Sequence, residues 1–187
     1  MSTAIPATAA GPKATSAPGF LGSTVGLKIV MASTGILLVG FVLAHLLGNL
    51  QVYLGADAMN AYGRFLHEVL HGGGLWVARV GLLAAVAGHV GSAIALAKTN
   101  ADARPIGYRQ VKAREATYAS RTMRYSGFIL FAFVCYHLAH FTTGQLHPDF
   151  QPGNVYRNFI IGFQSPMVSA FYIVSMVLLG LHLRHGV

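Results

Sequence analysis

Four histidines stand inside four apolar stretches of this chain at nearly matched intervals: His45 and His89 are 44 residues apart, and His137 and His182 are 45 apart. An ionisable side chain at membrane depth is costly and normally faces a bundle interior or a functional site. Neutral imidazole is also a common ligand of transition metals. Four of them in register therefore predict buried iron, held as two bis-histidine haem sites stacked one above the other.

Such residues need a bundle to hold them, and the composition supplies one. The chain has 187 residues, 54% hydrophobic and 10% charged, with a mean hydropathy of +0.55. Soluble domains carry roughly 25% charged residues, so this is a membrane protein. Its one cysteine, Cys135, has no second thiol to pair with, which excludes a disulfide framework and a Cys-rich metal site; the absence of CxxCH excludes covalently attached haem. The net charge is +8. The basic residues border apolar segments and form no groove-sized patch, so they read as topology signals and nucleic acid is not an expected partner. No nucleotide-binding loop or zinc signature is present.

Apolar windows at Val25 to Tyr53, Leu75 to Leu96, Tyr125 to Phe141 and Pro166 to Leu183 are each near the roughly 20 residues that cross a bilayer. They predict an all-α membrane bundle of four transmembrane helices, the first long enough to tilt or overhang. Residues 1–22 are expected to be a disordered tail, because Met1 to Phe20 is rich in Ala, Thr, Pro and Gly and lacks the order of a secretory signal. Residues 23–187 form the transmembrane domain.

Lys13, Lys28, Lys98, Arg104, Arg109, Lys112, Arg114, Arg121, Arg124 and Arg184 fall on one side of this map, and Arg64, Arg79 and Arg157 on the other. That asymmetry predicts a cytoplasmic N-terminus; the expected location is the cytoplasmic membrane of a prokaryote, crossed several times. The connection from Lys98 to Arg124 is then basic and cytoplasmic, suited to lipid head groups for most of its cations, and otherwise to haem propionates or a soluble partner subunit. On the outer side, Met59, Tyr62, Phe65, Leu66, Val69 and Leu70 recur at helical spacing and predict a short interfacial helix, broken by Gly72, Gly73 and Gly74. The second outer connection, Gly144 to Gln164, contains Pro148, Pro152 and Gly153 and is expected to lack regular structure.

Counting about 1.5 Å per residue from the cytoplasmic anchors places His45 and His137 in the outer half of the bundle and His89 and His182 in the inner half. Depth alone thus sorts the ligands into an outer pair, His45 with His137, and an inner pair, His89 with His182. The first and third spans also share a pattern: Thr34-Gly35 precedes His45-Leu46, and Ser126-Gly127 precedes His137-Leu138, with nine residues between in each case. The pattern resembles one hairpin used twice. Glycines at 35, 40, 48, 81, 88, 91, 127 and 180 leave room for a flat macrocycle, or serve close helix packing, which alone would explain most of them. His140, three residues after His137, is the main rival ligand, although it matches the depth of His45 less well.

These residues, with the segments HLLGNL at His45 to Leu50, GHVGSA at Gly88 to Ala93, CYHLAHF at Cys135 to Phe141 and GLHLRHG at Gly180 to Gly186, resemble the dihaem cytochrome b subunit of succinate dehydrogenase and fumarate reductase. The resemblance covers the chain from about Ser23 onward. It implies two b haems ligated by His45, His137, His89 and His182. It also implies flavoprotein and iron-sulfur partner subunits that carry FAD and the clusters, and a quinone substrate, menaquinone by resemblance. Electrons from succinate would then enter at the inner haem and leave through the outer one. Members of the family usually continue into a fifth helix, whereas this sequence stops at Val187, which we read as a truncation.

Near the outer surface His67, Glu68 and His71 supply titratable groups, and Glu68 is the candidate on the quinone side; solvation of an interfacial helix explains the same residues equally well. Two alternatives remain open. One is a haem-free transporter or proton channel that uses the histidines as a relay; the other is a cytochrome b anchor of a different enzyme, such as a hydrogenase or formate dehydrogenase.

Overall fold

The computed structural model describes residues 19–103 and 118–186. Among these residues every regular element is helical: α1 (Thr24–Asn49), α2 (Ala56–Glu68), α3 (Gly73–Asp102), α4 (Tyr118–His137), α5 (Val155–Gly162) and α6 (Pro166–Gly186). Four apolar stretches are long enough to cross a membrane, Thr24–Leu54, Gly73–Asp102, Tyr125–Thr142 and Pro166–Arg184. They coincide with the four expected spans. The first overhangs, since α1 continues through a 3-10 turn at Leu50–Leu54.

Helices form here because lipid offers no partner for backbone polar groups, which must then be satisfied within the segment. Hydroxyls follow the same logic. Ser92 donates to the Gly88 carbonyl, and fully buried Ser175 donates to the Phe171 carbonyl at 2.8 Å. Ser23 caps α1, its Oγ accepting from the Gly26 amide at 3.0 Å. Large apolar side chains such as Ile36, Leu47, Val77, Phe128 and Ile173 stand exposed around the bundle, as a lipid-facing surface requires.

α1 packs along α3, and α4 packs along α6, so the molecule is built from two hairpins. The hairpins are joined chiefly at the end of the bundle where α2 meets α5. Gly63 makes that crossing possible, because a Cβ there would stand 2.8 Å from Val155 Cγ2. Asn60 then ties the helices together: its Oδ1 accepts from the Tyr156 amide at 3.0 Å, and its Nδ2 donates to Asn154 Oδ1 at 3.3 Å.

The connections differ from expectation in three places. The segment from Gly144 to Gln164 does contain regular structure: Asn154, directly after Pro152 and Gly153, caps α5 by accepting from the Arg157 amide at 3.2 Å, so the Pro-Gly pair marks a helix start. Of the three glycines expected to break the interfacial helix, only Gly72, with φ 85°, does so as the N-cap of α3; Gly73 and Gly74 are the first residues of α3. Lys98, Arg121 and Arg124 lie within α3 and α4, because these helices project past the apolar core. The remaining basic connection, residues 104–117, lies outside the described residues, as do residues 1–18 of the expected tail. Within that tail Phe20–Gly22 form a 3-10 turn that leads into the Ser23 cap.

Candidate cofactor site

Each hairpin presents one inner and one outer histidine to the other hairpin. His45 of α1 faces His137 of α4, with ring centroids 5.8 Å apart and planes at 85°. His89 of α3 faces His182 of α6, with centroids 6.4 Å apart and planes at 62°. These are the two pairs expected from depth. His140 does not join the outer pair. The chain leaves the α-helical path immediately after His137, in a π-helical turn over Leu138–Thr142, and this wider turn carries His140 round to stack on His147 at 5.2 Å.

The inner pair is anchored symmetrically. His89 Nδ1 lies 3.2 Å from the Met31 carbonyl and 3.4 Å from Thr34 Oγ1. A carbonyl can only accept, so Nδ1 carries the proton and Nε2 carries the lone pair. Thr34 donates its own hydroxyl proton to the Val30 carbonyl at 2.7 Å, which leaves Oγ1 as an acceptor for the imidazole. In the other hairpin Ser126 Oγ donates to the Met123 carbonyl at 3.0 Å and lies 3.3 Å from His182 Nδ1. The neighbouring glycines complete both contacts: a Cβ on Gly35 would stand 3.4 Å from His89 Cε1, and one on Gly127 would stand 3.6 Å from His182 Cε1.

The outer pair is anchored unequally. Both rings stack on an aromatic one helical turn earlier, His45 on Phe41 at 5.2 Å and His137 on Phe133 at 5.8 Å. Only His137 has a hydrogen-bond partner among the described residues, the Tyr172 hydroxyl at 3.3 Å. That hydroxyl also lies 3.0 Å from Nδ1 of His140. His140 is fully buried, and its Nε2 has no hydrogen-bond partner among the described residues. His147 beside it is satisfied at both nitrogens: Nδ1 accepts from the Asp149 amide at 3.0 Å, so Nε2 donates to the Asn158 carbonyl at 2.8 Å.

A haem fits this donor set. Metal–imidazole bonds are about 2 Å long, so two rings sharing one metal end-on stand roughly 6 Å apart between centroids, as both pairs do. No group of three or more His, Cys, Asp or Glu converges among the described residues. A bare ion would therefore lack a protein cage, whereas iron in a macrocycle asks the protein for only two axial ligands. The glycines divide into two kinds: Gly40, Gly81, Gly91 and Gly180 would place a Cβ with nothing within 4 Å, whereas Gly48 and Gly88 are packed by Tyr62 and by Thr34. The first kind suits a flat ring, the second a close helix.

The outer titratable residues do not converge on the histidines. Glu68 ends α2, exposed and without a hydrogen bond or ion pair to any described residue. His67 Nδ1 donates to the Gly63 carbonyl at 2.8 Å, and His71 occupies a turn with φ 54°. The roles of Thr34, Ser126 and Tyr172 beside the histidines emerge only from the fold. The repeated hydroxyl-glycine pair was the available signal for the first two; nothing in the sequence marks Tyr172 among other span aromatics.

Residues 102–187, just under half of the chain, match the family model described as succinate dehydrogenase/fumarate reductase transmembrane subunit. No curated protein and no solved structure matches the chain.

Proposed function

We propose that this chain, whose residues 102–187 match the succinate dehydrogenase/fumarate reductase transmembrane subunit family model, is a membrane subunit of that oxidoreductase complex, and that it is the dihaem anchor that carries electrons between the iron-sulfur subunit and quinone. The observation that carries the reading is the facing of His45 to His137 and of His89 to His182 across the two hairpins. His89 and His182 hold the inner b haem and His45 and His137 the outer one. Bound haem supplies one-electron redox chemistry, and six-coordination by two imidazoles suits it to electron transfer and not to oxygen binding.

The protein's part is binding, orientation and exclusion of water. Nδ1 protonation of His89 keeps Nε2 available as a ligand, and the apolar spans keep the sites dry. The ends of α3 and α4 that carry Lys98, Arg121 and Arg124 face the cytoplasmic side of a prokaryotic membrane, where the flavoprotein and iron-sulfur subunits dock. Quinone, menaquinone by resemblance, reacts near the outer face, where Glu68 is the candidate proton-handling residue.

The test is purification of the chain from its native membrane. The proposal expects flavin and iron-sulfur subunits to accompany it and succinate to reduce its b haem. A colourless folded protein would favour the histidine-relay transporter, and haem accompanied by hydrogenase or formate dehydrogenase subunits would favour the other anchor.

A further inference from the structure

The two hairpins repeat at an offset of 92 residues along α1 and α4: Thr34, Gly35, Phe41 and His45 correspond to Ser126, Gly127, Phe133 and His137. The structure gives the first two positions of this repeat a shared partner. In each hairpin the hydroxyl meets Nδ1 of the inner histidine on the adjacent helix, at 3.4 Å for Thr34 with His89 and 3.3 Å for Ser126 with His182, and the following glycine admits the ring edge. The same contact is made twice, by different residue types, on opposite sides of one pair. Helix packing alone would not require this, because a methyl group in place of either oxygen fills the same space.

Resting on the dihaem reading above, we propose that Thr34 and Ser126 are positioning residues of the inner haem, each accepting a hydrogen bond from Nδ1–H of the histidine ligand beside it. The donor direction follows from the hydroxyls' own protons, which go to the carbonyls of Val30 and Met123. The bond fixes the ring tautomer and raises the basicity of Nε2, as outer-shell partners of metal-bound histidines do. A more basic ligand stabilises the ferric state. Both hydroxyls therefore hold the inner potential down, whereas the outer pair has a hydroxyl on one side only, Tyr172 beside His137, and none on His45 among the described residues.

The experiment uses the intact complex and two readouts other than turnover: a potentiometric titration of each haem and the low-spin ferric EPR spectrum. His182→Tyr identifies which signal is the inner one. Thr34→Val keeps the shape and removes the hydroxyl acceptor, leaving His89 Nδ1 the Met31 carbonyl at 3.2 Å, and is expected to shift the inner reduction equilibrium toward the ferrous form by up to about tenfold, or about 59 mV for one electron, with a changed EPR signal and an unmoved outer haem. Ser126→Ala is expected to do the same from the opposite hairpin. It deletes a single oxygen, so it carries the test if Thr34→Val fails to assemble. Thr34→Ser and Ser126→Thr, which restore a hydroxyl, are expected to retain the wild-type values. Two haems with an inner potential and spectrum insensitive to Thr34→Val and Ser126→Ala, or equal shifts in both haems, would overturn the assignment alone. A wild type without haem would overturn the dihaem reading beneath it.

Discussion

The inner and outer histidine pairs are built from the same repeated hairpin, yet their surroundings differ. At the inner level both Nδ1 atoms meet small hydroxyl residues. At the outer level His45 has a stacked Phe41 and no hydrogen bond among the described residues, whereas His137 meets Tyr172, which also reaches a second, buried imidazole in His140. Repetition therefore fixes where the ligands stand, and the residues that differ between the two hairpins decide how each is held. The point of divergence can be named: the 92-residue offset that relates His45 to His137 relates Gly48 to His140. Gly48 is packed by Tyr62, where any Cβ would stand 2.7 Å from the ring, so a histidine fits only the second copy.

The comparison breaks most severely if a ligand is removed. His182→Tyr is expected to lower haem content from two per chain to one and to leave the outer signal intact; the mirror variant His45→Tyr is expected to remove the outer signal alone. Pyridine haemochrome quantitation together with EPR reads both results. Loss of both haems in either variant would show that the pairs do not act as separate sites.

Next in size is the outer junction that sets the spacing of the hairpins. Gly63→Leu forces a side chain into Val155, and overpacking of this kind costs about 1–3 kcal/mol. Thermal unfolding followed by the haem absorbance is expected to shift downward, with the outer haem released first because α2 and α5 lie on its side of the bundle. Simultaneous release would contradict that placement.

A similar loss, about 1–3 kcal/mol, is expected for Tyr172→Phe, because it takes the Nδ1 partner from fully buried His140. The double variant Tyr172→Phe with His140→Phe removes both polar partners at once and is expected to be less destabilised than Tyr172→Phe alone. Chemical denaturation of the four members of this cycle measures the coupling, and simple additivity would deny the pair any joint role. The smallest effect is expected for Glu68→Gln: slower quinol turnover with both haem spectra unchanged. Unaltered turnover would make Glu68 a solvating residue of α2.

Much of this arrangement was legible in the residues. The spans follow from hydropathy because lipid permits few alternatives to a helix, and the histidine pairing follows from counting rise per residue inward from the charged anchors. Less visible were features that depend on backbone detail. His140 sits three residues after His137 and reads as its neighbour on one face until the π-turn at Leu138–Thr142 rotates it away. α5 was hidden by Pro152 and Gly153, although Asn154 behind them is an ordinary helix cap. The hydroxyl-glycine repeat was visible as a pattern, but its meaning needed the neighbouring helix, since Thr34 and His89 are 55 residues apart in the chain.

The central claim is that two histidine pairs hold two haems, and a reduced-minus-oxidised absorption spectrum of the purified complex, with a haem-to-chain count, tests it most directly. Two b haems per chain is the result the account predicts; a folded preparation without haem would contradict it.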